Sequence, residues 1–176
     1  MKPTSLLITL ASIAILSTGK GYAQSQQPDV QCATSAAGNY DGANTYSITG
    51  AGQTVAINTT NAAPAYCYIR AQNDGVNSAR INLKPTSTNL GSFKYTYYNY
   101  SDQNVNISNQ ITSSAGFTTK LLNPGAWVTI KVKVEPLWKS PTTRASNFSL
   151  AGHTTNGYTP ATSDKYRVNF SIKSKF

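Results

Sequence analysis

Residues 123–136 read NPGAWVTIKVKVEP. After the Pro-Gly corner the side chains alternate without a slip. Ala126, Val128, Ile130, Val132 and Val134 fall on one face, and Trp127, Thr129, Lys131 and Lys133 on the other. A period of two over this length is that of a β-strand with one face in a core and the other in water. The wet face carries two cations and an indole, which leaves open what that face is for.

The rest of the chain repeats the pattern in shorter pieces. PDVQCATS (28–35), NTYSIT (44–49) and QTVAINTT (53–60) read as strands separated by Gly-rich turns. PAYCYIRAQ (64–72) runs into the turn NDG (73–75), and SARINLKPT (78–86) returns from it. GSFKYTYYNY (91–100) is aromatic and β-prone. SDQNVNISNQI (101–111) fits either a helical turn capped by Ser101 or Asp102, or a short strand. AGFTTKLLNPG (115–125) leads into the opening strand, and EPLWKSPTTRA (135–145) reads as a Pro-bracketed loop. NFSLAGHT (147–154) and DKYRVNFSIK (164–173) follow; in the last, Tyr166, Val168, Phe170 and Ile172 face in. Asn, Thr, Ser, Gly and Tyr dominate while Leu and Glu are scarce, which disfavours helices. Eight or nine short strands with frequent turns predict a single all-β domain, a β-sandwich, with a β-barrel as the alternative that nothing in the sequence favours.

The N-terminus, MKPTSLLITLASIAILSTGKGYAQ, places one Lys before an apolar run, Leu6 to Leu16, and ends in small residues. It predicts a secretory signal peptide over 1–23 and a mature domain over 24–176. The run is too short for a membrane-spanning helix, which needs about 20 apolar residues. The expected location is outside the cell or on its surface. Without Lys2 and Lys20, 15 cations become 13 against 6 acids, a formal charge of +7. About 150 residues remain, enough for one domain that buries about two-thirds of its unfolded surface.

Cys32 and Cys67 are the only cysteines. In an exported chain an even pair reads most simply as a disulfide; two buried free thiols are the other reading. Both fall on the inward alternation of their strands. The loop they close is worth about 3–4 kcal/mol in the chain-entropy model.

The succession PDVQ, GNYDGANTYSITGAGQT, YIRAQNDG, GFTTKLLNPGAWVTIKVKVEP and SDKYRVNFSI resembles an immunoglobulin-like module of exported bacterial proteins, akin to cell-adhesion-related CARDB-type domains. The elements that carry the resemblance are Thr49 to Thr54, Gln72 to Gly75 and Leu122 to Gly125. The resemblance implies a sandwich fold, an exported location and no catalytic residues. This chain departs from it in carrying two cysteines where apolar residues are more usual.

No reactive constellation stands out. Asp29, Asp41, Asp74, Asp102, Glu135 and Asp164 are scattered, mostly in turns where Asp bonds backbone. His153 reads as a solvated loop residue with no nucleophile motif beside it. Two cysteines and one His do not make a metal set. The loops at 39–44 and 99–104 offer calcium one carboxylate each. No catalytic residue, metal or cofactor is therefore expected.

The exposed Tyr98, Tyr100, Trp127, Lys131 and Lys133 suit stacking on sugar rings or contact with a surface polymer. Specific nucleic-acid binding is not expected of an exported protein. The polar segment ahead of the first strand, including Gln24, Gln26, Val30 and Gln31, suits addition as a strand to a neighbouring copy. The expected partners are copies of the chain itself or surface polymers, glycans among them. The functional expectation is a non-enzymatic exported structural protein that self-associates or joins a surface assembly, such as a filament or matrix, by strand addition; a carbohydrate-binding or adhesion module using the exposed Tyr and Trp residues is the alternative.

Overall fold

The computed structural model describes residues 26–59, 64–86, 93–137, 143–155 and 163–173. Ten strands and one helical turn are present among them: β1 (Pro28–Ala33), β2 (Thr54–Thr59), β3 (Ala65–Asn73), β4 (Ile81–Pro85), β5 (Phe93–Asn99), β6 (Val105–Asn106), α1 (Ser108–Ile111), β7 (Phe117–Thr118), β8 (Trp127–Pro136), β9 (Thr143–Thr154) and β10 (Ser163–Lys173). They form two five-stranded sheets, ordered β1-β3-β8-β5-β6 and β2-β10-β9-β4-β7. The architecture is the expected all-β, immunoglobulin-like sandwich.

The opening strand, β8, is central to the first sheet because its neighbours alternate in step with it. Ile69 lies opposite Ile130 and Cys67 opposite Val132 on the β3 side, with Tyr97 opposite Val132 on the β5 side. Val128, Ile130, Val132 and Val134 are buried. From the second sheet Ile81, Leu83, Phe148, Leu150, Tyr166 and Val168 meet them. Burying side chains of this size contributes about 1.5–3 kcal/mol each.

The structure departs from the sequence reading in several places, among them the expected loop over 135–145, where β8 runs on to Pro136 and β9 already begins at Thr143. The strand expected over 44–49 does not form. Gly42, Asn44, Gly50 and Gly52 all take positive φ, so 40–53 folds as a loop that crosses from one sheet to the other. That crossing makes β2 run parallel to β10, the one parallel pair among the described strands. The ambiguous 101–111 segment holds both β6 and α1. The helical turn is entered at Ile107 without a side-chain cap, so neither Ser101 nor Asp102 serves as N-cap. His153 lies in β9, paired with Asn82 and Ser163, and is not a loop residue. The signal-peptide reading and Gln24 lie outside the described residues.

Cys32 and Cys67 are both buried on the inward face, as the alternation predicts, and both are free thiols. Cys32 stands opposite Ile69, so Cys67 is its diagonal neighbour. Burial raises the Cys67 thiol pKa, and a hydrogen bond with Cys32 adds to the rise.

Candidate functional site

The outward face of the first sheet collects the residues that the sequence marked as contact candidates. Trp127, Lys131 and Lys133 alternate along β8, and Tyr98 and Tyr100 come from β5 and the turn after it. The strand register then adds residues the sequence reading left out. On β3, Tyr66, Tyr68 and Arg70 lie opposite Lys133, Lys131 and Thr129. Their own alternation is visible in YCYIRA, but only the pairing of β3 with β8 shows that the two wet faces are one surface.

Cations and rings interleave across that surface. The Arg70 guanidinium sits 3.9 Å from the Tyr40 ring centroid and 4.6 Å from that of Trp127, held between the two. The Lys131 ammonium lies 4.9 Å from Tyr98, 5.9 Å from Tyr66 and 6.0 Å from Tyr100. Tyr68 and Tyr100 meet edge to face at 5.3 Å. Lys133 pairs with Glu135 at 2.8 Å, and that hydrogen bond raises the Lys133 pKa. The aromatic rings remain open to solvent: Trp127 is 50%, Tyr66 41% and Tyr100 40% exposed. From Trp127 to Lys133 the strand rises about 20 Å. This is a cationic sheet face with stacking rings.

The acids gather elsewhere. Asp29 and Asp164, 135 positions apart in the chain, are 1% and 0% exposed and repel each other electrostatically. Asp164 accepts from Val30 N at 2.6 Å, Ser47 N at 2.8 Å, Lys165 N at 2.8 Å and Gln53 Nε2 at 3.1 Å. Burial raises its pKa, and those four donors oppose the rise without cancelling it. Asp29 accepts from Asn44 N at 3.0 Å and Gln31 Nε2 at 2.7 Å. Burial pushes its pKa up to about 6, against those two bonds. No sequence motif announces this pair, because a loop, not a spacing, brings it together. The carboxylates accept backbone N–H groups of β1, β10 and the 40–53 loop, together with the Gln31 and Gln53 side-chain amides. Their work is to fasten β1 and that loop to β10. Val30 and Gln31 thus sit in the chain's own β1, and Gln31 also reaches Gln72 Oε1 at 3.4 Å.

His153 is half-buried, and burial, with Lys84 nearby, lowers its pKa. No group of three or more His, Cys, Asp or Glu among the described residues could hold a metal ion. No helix among them is long and apolar enough to cross a membrane.

No family model matches the chain, and no curated protein matches it. Similar solved structures include the N-terminal domain of PorA, at 12% identity and TM-score 0.45, covering 85% of this chain and all of that one. The CupB6 tip adhesin from Pseudomonas aeruginosa matches at 9% identity and TM-score 0.44, over 70% of this chain and 42% of the adhesin. A PapD-like domain of human CEP192 matches at 9% identity and TM-score 0.41, over 98% of each chain. These superpositions assign no activity, and the resemblance to CARDB-type modules stops at the sandwich itself.

Proposed function

We propose that this chain is an exported, non-enzymatic adhesion module that holds an acidic surface polysaccharide against the outer face of its first sheet. The observation that carries the reading is the interleaving of Arg70, Lys131 and Lys133 with exposed Trp127, Tyr66 and Tyr100 and half-buried Tyr98 on one sheet face. Rings offer apolar faces to the C–H side of a sugar, and the cations between them meet its carboxylates or sulfates. Contact residues spread over three neighbouring strands suit an extended polymer, which several weak contacts along its length can hold. The formal +7 of the mature chain adds long-range attraction for a polyanion.

The test is affinity electrophoresis of the mature protein through gels containing acidic or neutral polysaccharides. Retardation by acidic polymers is expected, lessened by salt and by Trp127→Ala or Lys131→Ala. Migration unchanged in every polymer would overturn the reading.

Self-assembly through the N-terminal segment is the second reading, with Gln24, Gln26, Val30 and Gln31 on the exchanged strand. What favours it is that β1 is held by backbone bonds and the Asp164 carboxylate, all of which a neighbour's identical segment would reproduce. Removing residues 24–31 would then abolish assemblies seen on a sizing column. Assemblies that persist would count against it. Oxidation of Cys32 and Cys67 to a disulfide, which would clamp β1 to β3, belongs to the same proposal.

A further inference from the structure

Among the described residues the outermost strands are β1 and β6 of the first sheet and β2 and β7 of the second; β6 and β7 are two-residue strands that cover part of β5 and β4, and β1 is closed by other means. On β1, Pro28 has no N–H, Val30 N is taken by Asp164, and Cys32 exchanges both backbone bonds with Asp41. On β5, Tyr97 N donates to Ser108 Oγ and Tyr97 O accepts from Ile107 N. On β4, Thr119 N donates to Ile81 O, and Ala79 exchanges both bonds with Leu122. The remaining full-length outer strand is β2, which among the described residues has β10 on one side and no strand on the other.

The register fixes which β2 groups face outward. Arg167 N donates to Gln53 O at 3.0 Å, and Arg167 stands opposite Thr54 in a parallel pair. Residues 53, 55 and 57 therefore bond toward β10, which turns the N–H and C=O of Thr54, Ala56 and Asn58 away from it. The strand reads TVAINT, with no charge, no proline and no bulge. Those are the devices that usually keep an edge from pairing. Val55 and Ile57 are only partly buried, so part of their apolar surface stays open beside that edge.

We propose that β2 pairs antiparallel with β2 of a second copy, about a two-fold axis at Ala56. In that register Ala56 meets its own counterpart, Thr54 meets Asn58, and Val55 meets Ile57. Every pair is compatible, no like charges meet, and about six backbone hydrogen bonds form. The half-covered Val55 and Ile57 then lie against their counterparts, and the second sheet runs on through both copies. An isologous contact of this kind closes at two and does not propagate. In a chain of net positive charge, the uncharged edge is where two copies approach without opposing lysines.

Sedimentation velocity on the mature protein tests this together with two variants. Wild type is expected to be dimeric. Ala56→Lys sets two ammonium groups face to face on the axis and weakens the dimer by about five-fold or more, with the monomer's melting curve unchanged. Ala56→Cys, mildly oxidised, gives a covalent dimer, whereas Asn109→Cys on α1 does not. A wild-type monomer at all concentrations would overturn the proposal. So would a dimer that Ala56→Lys leaves intact and that Ala56→Cys fails to trap. The proposal is independent of polysaccharide binding: the axis lies on the second sheet, and the ring-and-cation face on the first.

Discussion

The outer edges of β1 and β2 make an instructive contrast. Both are six-residue strands at the end of a five-stranded sheet, yet one is sealed and the other is open. The β1 edge is closed by a proline, a buried carboxylate and a backbone bridge to Asp41. It lies so close to β9 that a Cβ at Gly152 would come within 2.7 Å of Val30 Cγ2. The β2 edge has none of these and is half exposed. The lesson is that sealing costs buried charge. The first edge is closed at the expense of two carboxylates that water would otherwise solvate.

Removing the seal should have the largest effect. Asp164→Ala leaves Val30 N, Ser47 N and Lys165 N without their acceptor and removes one of the acceptors of Gln53 Nε2, which keeps Thr45 O. A loss of about 3–5 kcal/mol is expected in urea unfolding, since one change strands several buried donors. A loss under about 1 kcal/mol would mean that β1 is held by packing alone.

A bulkier residue at the crossing point should cost nearly as much. Gly152→Ala pushes a methyl into Val30 and Leu83, with an expected loss of about 1–3 kcal/mol. Hydrogen exchange should show the opening concentrated in β1.

The buried pair also sets a pH dependence. Asp29 has a folded pKa of about 6 against an ordinary 3.8. Between these values the folded chain holds a proton that the unfolded chain has lost, so stability falls as pH rises through the window. About 2–3 kcal/mol is at stake for a group this buried. Asp164, also raised, acts in the same direction. His153, lowered, acts in the opposite one. The measurement is therefore the difference between wild type and Asp29→Asn. The variant should gain stability above pH 6, with the gain vanishing near pH 4.

At the open edge the same approach predicts almost nothing for the monomer. Ala56→Lys adds an exposed charge on a solvent-facing position and should shift unfolding by less than about 0.5 kcal/mol. A larger loss would show that the edge is covered within the monomer and that the contrast with β1 is false.

The sequence by itself determined which residues are inside. Period-two alternation put Val128, Ile130, Val132 and Val134 in the core and Trp127, Lys131 and Lys133 on the surface, because a strand leaves each side chain only two directions. It also foretold the two-sheet sandwich. It misread 44–49, where the apparent alternation was outweighed by positive-φ positions at Gly42, Asn44, Gly50 and Gly52. Only the tertiary structure decided which strands are neighbours. That choice joined Tyr66, Tyr68 and Arg70 to the β8 face, drew Asp29 and Asp164 together from opposite ends of the chain, and left β2 without an outer strand among the described residues. Alternation is a local property of the backbone. Pairing follows from how the whole chain closes around its core, and no short stretch of residues encodes that.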